Sequence, residues 1–255
     1  MKTLTYDENL DLKLDLYEPD SPESPLFVYM HGGGLKGGNR SSNADLFKKL
    51  QADGIAVASI EYRMYPTAKF PEFIEDCAKA IGFLKSYKKF TKYIIGGSSA
   101  GSYLAMMLML NPDYLSKYEA KFDSATEKSG EKLDPLKIEG WFLDAGQPTT
   151  HFNVLHERGL DTRLVRIDEA APLYYINKDF EPTREDGKLP KILSLSASND
   201  MTCRLEQIKL FDATLRHFGY PTDRVRFEYM NGYGHCAYNH DEIFVNIINK
   251  FVAEC

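Results

Sequence analysis

The chain has 255 residues, a length typical of one α/β domain with a sizeable core. Hydrophobic residues make up 43% and charged residues 27%, and the formal net charge is -6. This acidic balance argues against nucleic acid as the main partner, because phosphates require a basic surface. No stretch is as long and apolar as a membrane span, and the N-terminus lacks a signal-peptide core, so a cytoplasmic protein without a membrane partner is expected.

Apolar runs and helical periods alternate along the chain. Residues 11–17 alternate charged and apolar side chains, as a half-buried strand does, whereas 26–30 is a continuous apolar run typical of a buried strand. In chain order the predicted elements are strands 11–17 and 26–30, helix 42–53, strand 55–60, helix 71–87, strand 93–95, helix 102–110, strands 138–143 and 192–195, helix 204–218, strand 225–229 and helix 242–252. This alternation predicts an α/β fold with a mostly parallel central sheet and helices on both faces.

Two segments fall outside this alternation. Residues 119–132 are charged and poor in apolar side chains, which indicates a surface excursion. Residues 147–180 contain two histidines and several apolar residues without a clear period, and we interpret them as a small lid or cap. Because no repeat, low-complexity tract or linker divides the chain, one domain over residues 1–255 is expected.

A candidate nucleophile lies where a buried strand meets an apolar helix. The sequence from Gly97 to Gly101 fits G-x-S-x-G, the nucleophile elbow, with Ser99 at its centre. A serine in this turn presents its hydroxyl above the sheet, and the helix N-terminus behind it favours developing negative charge. Ser98 is central in a second frame in which Ala100 replaces the last glycine, but the frame of Ser99 has both glycines.

Three glycines follow another buried strand, in the sequence from His31 to Gly34. Glycines let the backbone approach a ligand closely and point its N–H groups inward. We predict that the N–H groups of Gly33 and Gly34, with that of Ala100, form an oxyanion hole. His31 is predicted to order this loop rather than act as the base.

The candidate base is His235, which follows the last predicted strand. His240 competes with it, but we expect His240 to cap the final helix. His217 lies within a predicted helix, and His151 and His156 lie in the predicted lid.

The candidate acid is Asp200, which follows the strand 192–195 and would orient the imidazole. The resulting order of serine, aspartate and histidine is the order of α/β-hydrolases. Asp144 also ends a strand and is the alternative acid. The four cysteines, Cys77, Cys203, Cys236 and Cys255, lack the spacing of a metal site and are expected to be free thiols.

Several separate segments together resemble the hormone-sensitive-lipase-like carboxylesterases and the related small acetyl and feruloyl esterases. They occur in the family's order, at His31–Gly34, Glu61–Pro66, Phe70–Pro71, Ile74–Asp76, Gly97–Gly101, Ala171–Tyr174, Asn199–Asp200 and Gly234–His235. Two features depart from the family pattern. Ser98 replaces a frequent aspartate, and the motif D-Y-R-L-A-P is here E-Y-R-M-Y-P. Because the first predicted strand begins almost at once, we also expect the large N-terminal cap of many members to be absent, and a more open pocket would follow.

The resemblance implies an α/β-hydrolase fold and hydrolysis of short-chain carboxylic esters, carbohydrate acetyl esters among them, without cofactor or metal. Ser99 would attack the ester carbonyl with His235 as base, and an acyl-enzyme would form. An amidase of the arylformamidase kind with the same triad is the alternative. A binding protein that keeps the fold without turnover is the alternative outside enzymes. The natural ester and the oligomeric state are left open.

Overall fold

An eight-stranded sheet forms the centre of the described part of the chain. The computed structural model describes residues 1–21, 23–118, 138–180 and 189–255. The strands are β1 (Lys2–Asp7), β2 (Leu12–Tyr17), β3 (Leu26–Met30), β4 (Ala56–Ile60), β5 (Tyr93–Ser98), β6 (Ile138–Asp144), β7 (Lys191–Asn199) and β8 (Val225–Gly234). They lie in the order β1-β2-β4-β3-β5-β6-β7-β8, antiparallel between β1, β2 and β4 and parallel from β4 to β8.

Helices cover both faces of this sheet. Those whose bounds are fully described are α1 (Ala44–Ala52), α2 (Glu72–Tyr87), α3 (Ala100–Leu110), α4 (Phe152–Glu157), α5 (Arg204–His217) and α6 (Glu242–Glu254). Strand β3 shows how one strand serves both faces, since successive side chains point to opposite sides. Val28 and Met30 pack in the core formed with α2, α3 and α5, while Phe27 and Tyr29 pack in the core formed with α1 and α6.

The predicted α/β class and mostly parallel sheet are confirmed, and each predicted helix and strand occurs. Strands β5, β7 and β8 extend further than their apolar runs, because polar and glycine residues at their ends still pair. Ser98 pairs with Asp144, and Asn199 pairs with Gly234. Strand β1 was missed, since it is a largely exposed edge strand without an apolar run.

The segment 147–180, predicted as a lid, contains α4 and a short 3-10 helix, Pro172–Tyr175. Asp168 holds it together by accepting hydrogen bonds from Thr150 Oγ1 at 2.8 Å, Arg158 Nη1 at 2.9 Å and Arg166 Nε at 2.6 Å. Residues 119–132, predicted as a surface excursion, lie outside the described residues. Within the helices that are described, none has both the length and the apolar content of a membrane span.

Candidate active site

Ser99 occupies the sharp turn between β5 and α3. Its backbone has φ 54° and ψ -113°, a conformation that costs a non-glycine residue about 1–3 kcal/mol. The surrounding backbone enforces this turn. A Cβ at Gly97 would lie 2.3 Å from the carbonyl oxygen of Met30, and one at Gly101 only 1.9 Å from the same atom. Both positions therefore require glycine, as in the frame centred on Ser99.

The two serines of the motif face different surroundings. Ser99 is partly exposed and lines a cavity, and its N–H donates to the main-chain oxygen of Asp144 at 2.8 Å. The hydroxyl of Ser98 is buried, where it accepts hydrogen bonds from Tyr29 at 2.9 Å and Asn239 at 2.8 Å. Of the two hydroxyls, that of Ser99 has the access that a nucleophile requires.

Strand ends bring the three residues of the predicted triad together. His235 follows β8 and Asp200 follows β7, at the same edge of the sheet as Ser99. Nε2 of His235 lies 2.8 Å from Oγ of Ser99, and Nδ1 lies 2.6 Å from Oδ1 of Asp200. This is the connectivity of a nucleophile, a base and an orienting acid.

The carboxylate of Asp200 is held in its ionised form, although its side chain is only 1% exposed. Burial raises the pKa of Asp200, but hydrogen bonds from His235 and from the N–H of Met201 outweigh burial and leave the pKa below its ordinary value. An ionised acid at this position stabilises an imidazolium and selects the tautomer that can accept a proton at Nε2.

The structure separates the competing candidates from this hydrogen-bonded chain. The side chain of Asp144 bonds Tyr238 and Asn239, and no hydrogen bond joins it to His235 in the described residues. His240 was expected to cap the last helix, but the N-cap is Asp241, because His240 ends the 3-10 helix that precedes it.

The other histidines weighed in the sequence lie at helix ends, away from the hydrogen bonds of the candidate triad. His151 is buried and caps α4 by accepting from the N–H of Asn153 at 3.2 Å, and burial lowers its pKa well below the ordinary value. His156 lies in the last turn of α4, where its ring packs edge-on against the ring of Tyr65. His217 is the last residue of α5.

The glycine loop after β3 lies against the nucleophile. A Cβ built on Gly32 would be 3.4 Å from Cβ of Ser99. Gly33 and Gly34 have φ of 113° and 64°, and both line the cavity with Ser99. In the part of the chain that is described, the N–H groups of Gly33, Gly34 and Ala100 have no protein acceptor, which leaves them available to a ligand.

His31 lies buried beneath this loop. Its ring stacks on Tyr62 with centroids 4.4 Å apart, and the Tyr62 hydroxyl donates to the main-chain oxygen of His31 at 2.8 Å. Glu61 lies 3.7 Å from Nε2 of His31. The sequence singled out Glu61 and Tyr62 without assigning them a role. Their signal was their place directly after β4, the strand beside β3 in the sheet.

Arg204 is a buried cation that sequence reasoning missed. Its guanidinium donates to the main-chain oxygen of Ala145 at 2.8 Å and to Oε1 of Gln147 at 3.2 Å. Burial lowers its pKa, while the charge of Asp200 opposes this. Because α5 starts at Arg204, the residue joins the segment after β6 to the loop that carries Asp200. Its position at a helix start gave no signal, since arginines there are usually exposed.

A cavity of about 610 Å³ opens above Ser99. This volume is in the range of small-molecule sites. Its lining combines the glycine loop, Ser99 and His235 of the candidate triad with residues near them, and one lid residue. The lining residues are Tyr29, Gly32, Gly33, Gly34, Lys36, Gly38, Ser42, Asn43, Ser98, Ser99, Phe152, Met201, His235, Cys236, Asn239 and His240.

A family model described as BD-FAE matches residues 14–185. Among curated proteins, the kynurenine formamidase of Drosophila melanogaster is 24% identical over 236 residues, which are 91% of this chain and 73% of the relative. A probable isoprenylcysteine alpha-carbonyl methylesterase of Oryza sativa subsp. japonica is 28% identical over 171 residues. That match covers 63% of this chain and 39% of the relative, so the chain spans less than half of this second protein.

Among solved structures, esterase B from Lactobacillus rhamnosis superposes with a TM-score of 0.72 at 16% identity. The superposition covers 99% of this chain and 84% of that esterase. At this identity the likeness establishes the fold alone, which is the expected α/β-hydrolase fold.

Proposed function

The chain belongs to the BD-FAE family and is an esterase-type α/β-hydrolase, and from this premise we propose that it hydrolyses short-chain carboxylic esters through Ser99, His235 and Asp200. We further propose that residues 1–255 form one catalytic domain with 147–180 as its cap. The single observation that carries the proposal is the unbroken hydrogen-bonded chain from Oγ of Ser99 through the imidazole to Asp200.

The first half of the reaction follows from these contacts. Oγ of Ser99 attacks the ester carbonyl carbon while Nε2 of His235 takes the hydroxyl proton. Asp200 stabilises the imidazolium through Nδ1. The carbonyl oxygen gains negative charge and is held by the N–H groups of Gly33, Gly34 and Ala100. Each such donor is worth about 3–4 kcal/mol of transition-state stabilisation.

Collapse of the tetrahedral intermediate breaks the bond to the alcohol, which leaves with the proton from His235. The acyl group remains on Ser99. Water then enters, His235 takes its proton, and a second tetrahedral intermediate releases the carboxylic acid and restores the serine hydroxyl. The glycine loop serves both intermediates, because the oxyanion occupies the same place in each.

The test is hydrolysis of p-nitrophenyl acetate by Ser99→Ala and His235→Ala. Both variants should lose at least about 10³-fold in kcat, because the nucleophile or its base is gone. Matched controls are Ser86→Ala on α2 and His217→Ala on α5, which should keep wild-type turnover. Wild-type turnover by Ser99→Ala would refute the proposal.

The likeness to a kynurenine formamidase over 91% of this chain favours a second candidate, hydrolysis of an aryl formamide. The same residues would then expel an amine instead of an alcohol, with His235 again supplying the proton. Comparing kcat/KM for N-formylkynurenine, acetylated xylan and p-nitrophenyl esters of increasing length separates these substrates. Ester hydrolysis predicts the highest value for a short acyl ester. The non-enzyme alternative, a binding protein without turnover, predicts no hydrolysis of any of them.

A further inference from the structure

A buried carboxylate lies beside the candidate triad, and the proposed reaction does not use it. Asp144 is the last residue of β6 and has no exposed surface. It pairs across the sheet with Ser98, the residue before the candidate nucleophile. A carboxylate in such a place is costly unless it makes several hydrogen bonds, so its contacts call for an explanation.

The side chain of Asp144 reaches the segment that follows His235. Oδ1 accepts a short hydrogen bond from the hydroxyl of Tyr238, and Oδ2 accepts one from Nδ2 of Asn239 at 2.9 Å. Tyr238 and Asn239 belong to the 3-10 helix Ala237–His240. The carboxylate of Asp144 therefore holds in place the 3-10 helix that follows the candidate base in the chain.

The main chain of Asp144 reaches the nucleophile. Its carbonyl oxygen accepts the N–H of Ser99 at 2.8 Å, within the strained turn. Nδ2 of Asn239 also donates to Oγ of Ser98 at 2.8 Å, which closes a second connection between the same two segments. One residue thus contacts both the turn that carries Ser99 and the helix next to His235.

The charge of this carboxylate is compensated by neutral donors. In the described residues no lysine or arginine forms an ion pair with Asp144, and its hydrogen-bond partners are hydroxyl, amide and thiol groups. The titratable groups that face it are His235 and Cys236 after β8, Tyr238 on the 3-10 helix and Tyr29 on β3. A geometry of this kind depends on which atoms donate and accept, and it changes when a single acceptor becomes a donor.

We propose that Asp144 is a positioning residue that sets the distance between Oγ of Ser99 and Nε2 of His235 by joining the two segments that carry them. This inference rests on the proposed function, because it concerns turnover at that same site. It assigns to the alternative acid of the sequence a role that does not involve contact with the imidazole.

The first experiment is Asp144→Asn, assayed on p-nitrophenyl acetate with the folded fraction measured by circular dichroism. The amide has one acceptor oxygen where the carboxylate has two, so Tyr238 and Asn239 can no longer each donate to an oxygen of its own, and the connection is weakened. A lost hydrogen bond to a charged group corresponds to a kcat reduced about 10- to 100-fold, with KM within about twofold of wild type. Tyr238→Phe removes only one hydroxyl from the same group and should lower kcat by about 3- to 10-fold.

The decisive variant exchanges the two partners, Asp144→Asn with Asn239→Asp. The amide at position 144 then donates to the carboxylate at position 239, so the connection is restored with reversed polarity. We expect the kcat of this double variant to be at least about tenfold higher than the kcat of Asp144→Asn. Recovery is not expected if the single change merely weakens the fold, because the exchange adds a second substitution to a buried site.

The matched control is Asp76→Asn, which breaks the partly buried ion pair of Asp76 with Arg63, two residues that lie outside the lining of the cavity above Ser99. It should lower the melting temperature and leave the kcat of the folded enzyme unchanged. The proposal is overturned if Asp144→Asn behaves like this control, or if the exchange recovers no activity. If Asp144→Asn does not fold, wild-type kcat for Tyr238→Phe overturns it. Failure of the proposed function itself would appear separately, as undiminished turnover by Ser99→Ala.

Discussion

Nε2 of His235 lies 2.8 Å from Oγ of Ser99, although 136 positions of the chain separate the two residues. The parallel order of β5, β6, β7 and β8 makes this contact, because the ends of these strands meet at one edge of the sheet. The serine is held by a strained turn and the histidine by the loop after an edge strand. The reactivity that we propose for Ser99 therefore depends on the sheet as a whole.

Asp200→Asn should reduce kcat far more than Asp144→Asn. The amide at position 200 can hold the imidazole in the wrong tautomer, and this change costs about 10⁴-fold in a serine protease triad. Steady-state hydrolysis of p-nitrophenyl acetate by the two variants measures the difference. A larger loss for Asp144→Asn would instead identify Asp144, at the end of β6, as the acid of the triad.

Asp200 should also make stability depend on pH in a defined window. Its pKa in the folded protein is lower than the ordinary value of about 3.9, so the unfolded chain binds more protons near that pH. The contribution of this carboxylate is therefore complete at neutral pH and is lost as the pH falls through its folded pKa. Urea midpoints of wild type and Asp200→Asn should converge progressively as the pH falls below about 4. A difference that stays constant as the pH is lowered further would contradict the assignment.

Gly34→Ala should impair catalysis as well as stability. A Cβ there would lie 2.9 Å from Cζ of Phe152, at a φ of 64° that costs about 1–2 kcal/mol for a non-glycine residue. Displacement of the loop would weaken an oxyanion donor and reduce kcat about 100-fold. Gly54→Ala is the matched control, because its φ is 87° and no atom lies within 4 Å of the added carbon. Equal kcat for the two variants would show that the glycine loop does not stabilise the oxyanion.

Phe152→Ala should change acyl selectivity, since this residue of 147–180 lines the cavity and contacts the glycine loop. The space released should raise the ratio of kcat/KM for p-nitrophenyl butyrate over acetate by about tenfold. Leu164→Ala, in the same segment but exposed and outside the cavity lining, should leave the ratio unchanged. An unchanged ratio for Phe152→Ala would mean that the segment does not shape the acyl site.

Much of the fold was predictable because its strands are nearly continuous apolar runs. Leu26–Met30 was predicted with the bounds that the structure shows. The edge strand Lys2–Asp7 was missed because pairing with β2, rather than burial, makes it a strand. The strand ends that carry polar residues, such as Ser98 and Asn199, were missed for the same reason.

The candidate triad was predictable because motif and order along the chain both constrain it. The supporting residues were not. Tyr238 and Asn239 lie in a segment without periodicity. They matter through their hydrogen bonds to Asp144, which is 95 positions from Asn239, and the sequence gives no sign of such a distant contact. The burial of Arg204 could not be predicted from the sequence either, because a charged side chain is buried only where the folded chain places suitable partners around it.

The identity of the nucleophile is tested most directly by labelling the active protein with a fluorophosphonate and mapping the modified peptide by mass spectrometry. We predict one phosphonyl group on Ser99, with loss of p-nitrophenyl acetate hydrolysis in proportion to labelling. A phosphonyl group on Ser98, or full hydrolytic activity in protein labelled at Ser99, would contradict it.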